Sequence, residues 1–349
     1  MKHFEPDYRN LELASRRIRP ARMPLYDHSV DSGIMERIVG KPIAGLLGQG
    51  KAENLQAIRN MAEFFVKMGY DCMCFECGIT SVLPGGGCLG DERHAPAIRT
   101  MEDFRKYPWD EIVDKFIDTH SGIYDGLAEA LPPGLGVVGG VGNGILECVQ
   151  DLTGYVNLCL IRYDDPDLYA ALFQRAAQLV SDVWARFLPR WGGTLTLARI
   201  GDDMGFKSST LLPPDDLNQH VVKGYRRIAE LIHGFGKPFL LHCCGSVFPV
   251  MDSFIAAGID AKHSNEDAIA PLSTWLELYG DRIAIFGGID VDVAARGTEE
   301  EVRAETERII GMAQKYPGFA FGTGNSVPAY IPDANYIAMI ETARRVRGE

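Results

Sequence analysis

"TLTLARIGDDMGFKSSTLLPPDDLNQHVVKGYRRIAELIHGFGKPFLLHC", Thr194 to Cys243, contains one complete unit of the chain's architecture. Thr194–Asp203 is a short apolar run that ends on two carboxylates. Pro213–Gly236 has the period of a helix, and Pro238–Cys243 is again a short apolar run. Strand, helix, strand in this order implies parallel neighbours joined by a helical crossover. The second strand runs into a polar cluster, His242, Cys243, Cys244, Gly245 and Ser246.

The same alternation extends both ways. Further strands are expected at Arg22–Asp27, Tyr70–Glu76, Gly136–Val141, Asp260–Ser264, Arg282–Ile289 and Gly318–Gly324. Helices are expected at Glu53–Gly69, Asp165–Leu188 and Asp333–Val346, and from the polar cluster to Ala257. Eight strand candidates, each followed by a helix, imply an α/β fold, a single (β/α)8 TIM barrel. An open doubly wound sheet is the second choice. Its dinucleotide-binding form has no support, because no G-x-G-x-x-G follows the first strand. Residues 1–349 read as one domain, with 1–20 as an N-terminal extension. Gly78–Trp109, rich in Gly and Pro, reads as a long loop after the second strand, over the barrel mouth.

The 349 residues are 46% hydrophobic and 23% charged, ordinary for a soluble globular protein. A net charge of -12 without a long basic run argues against nucleic acid or an anionic membrane as partner. No apolar stretch approaches the roughly 20 residues of a membrane span. The opening "MKHFEPDYRNLELASRR" lacks a signal core, so a cytoplasmic protein is expected. Its 8 cysteines are then reduced thiols rather than a disulfide framework. The sequence leaves a homodimer open.

In a parallel barrel, functional residues gather at the C-terminal ends of the strands. Those ends carry Glu76, Asn143, Asp202 with Asp203, His242 with Cys244, His263 with Glu266, Asp290, and Asn325 with Ser326. His242 and Cys244 are two residues apart, so on an extended chain both face the same side. They read either as two ligands of one metal ion or as a hydrogen-bonded core histidine with packing thiols. A third ligand would be needed; Glu266, at the next strand end, is the best placed, and Glu76 the second choice. Glu76 itself ends an apolar strand, where a carboxylate is costly unless used or paired. Asp202 and Asp203 face opposite ways, so one points into the mouth and the other caps a helix or pairs with a basic residue. Cys72, Cys74 and Cys77 read as strand packing, since no second C-x-x-C exists for a four-cysteine zinc site. No G-x-S-x-G elbow, P-loop or H-E-x-x-H is present.

"LLHCCGSVFPVMDSFIAAGID", "YGDRIAIFGGID", "GTEEEVRAETERII" and "GNSVPAYIPDANYIAMIE" resemble the uroporphyrinogen decarboxylase superfamily, whose fold is a (β/α)8 barrel. The likeness runs from about Asp164 to Arg345, with "DSGIMERIVGKP" and "GYDCMCFECG" before it. The resemblance implies one of two activities. One is decarboxylation of the acetate side chains of uroporphyrinogen. The other is zinc-dependent methyl transfer between a corrinoid, carried on a partner protein, and a thiol or methylated substrate. Decarboxylases carry an R-Q-A-G-R motif in the first strand–loop unit, where this chain has "RMPLYDHSVD". Their aspartate near the second strand end is unmatched, and their late histidine aligns with Asn325.

The methyltransferase branch has His-x-Cys after the fifth strand, as His242 and Cys244 stand here. Its late cysteine also aligns near Asn325 and is missing. Glu266 fits the glutamate that related cobalamin-independent methionine synthases use. The resemblance therefore implies zinc on His242, Cys244 and Glu266, with a corrinoid protein docking over the mouth. Glu76 and Asp202 would be catalytic, with Asn143, Asp203, Asp290 and Asn325 binding substrate. The alternative is a decarboxylase acting on a tetrapyrrole or smaller carboxylate. A non-catalytic corrinoid carrier is disfavoured, because the Asp-x-His-x-x-Gly pattern is absent.

Overall fold

Among the described residues, seven parallel strands form one sheet in strictly sequential order: β1 (Cys72–Gly78), β2 (Gly136–Gly142), β3 (Leu197–Gly201), β4 (Phe239–His242), β5 (Ala261–His263), β6 (Ala284–Phe286) and β7 (Phe319–Ala320). The structure, a computed structural model, describes residues 4–349. Helices follow the strands and cover the outer face, as crossovers between sequential parallel strands require. The fold is the expected parallel α/β barrel type. The strand expected at Arg22–Asp27 is reduced to a single parallel bridge, Leu25 to Phe321, so seven strands rather than eight form the ladder.

Side chains bind that first segment to the rest of the barrel. Asp27 is fully buried and its Oδ1 accepts the Thr323 N–H and hydroxyl, each at 2.7 Å. Its Oδ2 accepts the Tyr70 hydroxyl, just before β1. The Asp27 carbonyl accepts from Cys74 Sγ at 2.9 Å. One carboxylate thus links the segments before β1 and after β7. The N-terminal segment lies under the opposite end of the barrel, where Tyr8 N donates to Gly134 O at 2.9 Å.

The glycines of β2 follow from close packing. A Cβ on Gly139 would lie 1.9 Å from the Phe75 carbonyl oxygen, and one on Gly140 would lie 2.8 Å from the Trp184 ring. Both have positive φ, 146° and 108°, which side chains disfavour. The helix Pro166–Trp191 delivers Trp184, capped at its start by Asp165. The stretch expected as a helix at Pro213–Gly236 is helical with a π-helical turn at Leu217–Val222. The long segment after β1 folds against the helix Ile145–Thr153. There Asp151 Oδ1 accepts from Gly87 N at 3.0 Å and Leu89 N at 3.3 Å. Among the described residues no helix is long and apolar enough to cross a membrane.

Candidate metal centre

His242 closes β4, and Cys244 follows it on the same side of the chain. His242 Nε2 lies 3.4 Å from Cys244 Sγ. Nitrogen and sulfur bound tetrahedrally to one zinc ion stand about 3.5 Å apart, so the pair already has the required spacing. Cys243 faces away into full burial, with Sγ 3.4 Å from Met204 N.

The end of β3 adds a carboxylate. Asp203 Oδ1 accepts the Cys244 N–H at 2.8 Å. Asp203, His242 and Cys244 each offer a ligand atom, all within 4.8 Å of one another. His28, His242 and His263 form a second such group, but its geometry does not suit one ion. The His28 ring lies flat over that of His242, centroids 3.5 Å apart and planes 19° from parallel. An imidazole lone pair lies in its ring plane, so stacked rings do not converge on one metal at about 2 Å. His242 Nδ1 is also engaged by His263 Nδ1 at 2.8 Å. His28 Nδ1 is buried with no hydrogen-bond partner.

Glu266 stands outside both groups. Its Oε1 accepts from Asn325 Nδ2, which also lies 3.4 Å from Cys244 Sγ. Glu266, Asn325, Asp290, Lys207 and Tyr330 line a cavity of about 390 Å³. Asp290 spends its oxygens on local structure: Oδ1 caps the helix Val291–Arg296 at Asp292 N, and Oδ2 accepts from Asp267 N at 3.0 Å.

The carboxylates after β3 divide in the opposite sense to the expectation. Asp202, expected in the pocket, is fully buried and caps the helix Ile145–Thr153, accepting from Leu146 N at 3.1 Å and Glu147 N at 2.8 Å. The Tyr225 hydroxyl donates to it at 2.6 Å. It is Asp203 that meets Cys244. Asn143 adopts positive φ, 65°, and donates to Glu147 Oε2 at 2.8 Å. Glu76 pairs with Arg199, Nε to Oε2 at 2.9 Å, and Arg199 also donates to Tyr26 Oη and the His28 carbonyl.

Burial governs the charge states. It pushes the Cys244 thiol up to about 12, helped by the Asp203 charge. It pushes His263 down to about 3 and His242 and His28 well below the usual range. Lys262, buried beside the site, falls to about 8 for the same reason. The donor set is then a neutral imidazole, a thiol and a carboxylate. That set fits zinc with one position open, and a divalent cation would hold the thiol as thiolate.

His28, Arg199 and Glu147 escape a reading by strand ends. Arg199 leaves a trace, as a cation inside the apolar run Thr194–Asp203 must find partners. His28 follows the weakest strand, and Glu147 lies within a helix, so neither is signalled.

The sequence profile of a family described as uroporphyrinogen decarboxylase (URO-D) matches residues 89–346. The uroporphyrinogen decarboxylase of Syntrophotalea carbinolica is 23% identical over 192 residues, covering 55% of this chain and 53% of that protein. That of Geobacter sulfurreducens is 22% identical over 202 residues, with the same coverage. The chain therefore spans about half the length of the curated relatives it matches. Among solved structures, a methyltransferase from Methanosarcina mazei superposes with a TM-score of 0.72 over 98% of this chain and 99% of that one, at 17% identity. At that identity the likeness is one of fold.

Proposed function

The chain belongs to the uroporphyrinogen decarboxylase (URO-D) family, and from that premise we propose that it is a methyltransferase. It moves a methyl group between a corrinoid, carried on a partner protein, and a small methylated substrate or thiol. The observation that carries this reading is the 3.4 Å approach of His242 Nε2 to Cys244 Sγ, with Asp203 beside them.

A zinc ion held there would act as a Lewis acid, stabilising a substrate thiolate or making a substrate heteroatom a better leaving group. His242, Cys244 and Asp203 would be its ligands, and Glu266 is the nearby carboxylate that the family resemblance favours. The methyl carbon leaves without its bonding electron pair, so the atom that gives it up keeps that pair and the atom that takes it supplies the pair of the new bond. Residues lining the mouth therefore act by holding the substrate in line. Asn325 and Glu266, joined by their hydrogen bond, form one wall of the cavity. Glu76, fixed by Arg199, forms another part of the barrel interior.

The decarboxylase reading draws on the names of the curated relatives. It needs cations at the mouth to grip several carboxylates. The arginine of the first segment, Arg22, instead pairs with Asp71 before β1 and donates to the Glu5 carbonyl at 2.7 Å. Arg199 is already engaged by Glu76, Tyr26 and His28. Free methylcobalamin and a thiol, incubated with zinc-loaded protein, test the proposal through loss of the methyl–cobalt absorbance. Release of carbon dioxide from uroporphyrinogen under anaerobic conditions, with no methyl transfer, would favour the decarboxylase instead.

A further inference from the structure

We infer that His263 is a positioning residue: it dictates which nitrogen of His242 faces Cys244, and Thr323 and Asp27 fix His263 in turn. The inference rests on the metal-site reading above. β4 and β5 carry His242 and His263 in register, so neighbouring strands present both rings at one height. Their Nδ1 atoms are 2.8 Å apart, and one must donate while the other accepts.

The direction of that bond follows from its far end. His263 Nε2 lies 3.1 Å from the Thr323 carbonyl oxygen. A carbonyl only accepts, so the hydrogen is on His263 Nε2. The Thr323 residue is itself held, since its N–H and hydroxyl both donate to the buried Asp27 carboxylate. In a neutral His263, Nδ1 is then a lone pair. His242 Nδ1 must supply the hydrogen, and His242 Nε2 is left as the lone pair 3.4 Å from Cys244 Sγ. A cationic His263 would reverse this direction. It would also place a third buried positive charge near Arg199 and Lys262, with its ring nitrogens facing only an imidazole and a carbonyl.

Asp27, Thr323, His263 and His242 thus form one hydrogen-bonded chain from the barrel seam to the candidate metal. Histidine ligands ordinarily donate their second N–H to a carboxylate or carbonyl, which fixes tautomer and ring orientation, and loss of that partner costs about 10–100-fold in metal affinity. Here a second imidazole relays the same constraint.

Two variants separate this role from packing. His263→Asn keeps an oxygen where Nδ1 stands and still accepts from His242. His263→Leu fills similar space and accepts nothing. Zinc competition against a chromophoric chelator, on the full chain, is expected to show a loss of about 10–100-fold for His263→Leu and retention for His263→Asn. Wild-type affinity in His263→Leu, or equal losses in both variants, would overturn the relay. A second measurement needs neither metal nor mutation. Nitrogen-15 spectra of histidine-labelled, metal-free protein should show His242 protonated on Nδ1 and His263 on Nε2. Protonation of His242 on Nε2 would overturn the inference. Failure of the wild type to bind zinc would sink the metal-site reading while leaving the tautomer result standing.

Discussion

Asn325 Nδ2 lies 3.4 Å from Cys244 Sγ, and the same amide donates to Glu266. It fills the ground between a thiol and a carboxylate with a group that ligates zinc poorly. Asn325→Cys should place a second thiolate at the centre and raise zinc affinity at least about tenfold, read by chelator competition. With cobalt(II) substituted, the sulfur-to-metal charge-transfer band should strengthen. Unchanged affinity and an unchanged band would show that position 325 does not face the metal.

The third ligand is decided by two carboxamides. Asp203 offers an oxygen within 4.8 Å of both His242 and Cys244 ligand atoms, while Glu266 is tied to Asn325. Asp203→Asn should lower zinc affinity beyond the roughly 10–100-fold expected for partners of a ligand. Glu266→Gln should leave zinc bound and lower turnover. The reverse pattern would assign the third position to Glu266.

The barrel was readable because strands and helices alternate with clear periods over most of the chain, and the strand ends directed attention to His242 and Cys244. The exceptions have physical causes. Leu25 bridges Phe321 across the seam and Val30 bridges Val327 further on, so a strand-like sequence yields isolated bridges rather than a ladder, and the side chains of Asp27 and Tyr70 add to the join. Alternation along β3 shows that Asp202 and Asp203 face opposite ways, but not which faces in; the position of the helix Ile145–Thr153 decides that. The stacking of His28 on His242 joins residues from the first segment and β4, and no local pattern encodes it.

Arg199 is 2% exposed, and Glu76 is its charge partner. Glu76→Gln leaves that guanidinium buried without a counter-charge. Breaking a buried pair in this way costs about 3–5 kcal/mol, to be read as a shift in the urea unfolding midpoint. Loss under about 1 kcal/mol would place the pair in effective contact with water.

Acid sensitivity follows from the depressed histidines. His263 is held down to about 3 by burial, so below pH about 6.5 the unfolded chain binds a proton there that the folded chain does not. Its contribution to stability is whole above pH about 6.5 and is lost as the pH falls towards 3. The limiting slope is about 1.4 kcal/mol per pH unit. Comparing wild type with His263→Asn cancels the titrating groups away from His263, leaving its own proton and those of its neighbours His242 and His28. The stability difference should move in favour of the variant by up to that slope between pH 6.5 and 5. A difference independent of pH would mean that His263 takes up its proton in the folded protein as it does in the unfolded chain.

Metal content tests the central claim most directly. Protein purified without added zinc, then reconstituted and freed of excess, should retain one zinc per chain. X-ray absorption should show one sulfur at about 2.3 Å and nitrogen or oxygen neighbours at about 2.0–2.2 Å, and Cys244→Ala should remove the sulfur. Zinc far below one equivalent that does not rise on reconstitution, or a zinc shell without sulfur, would contradict the account.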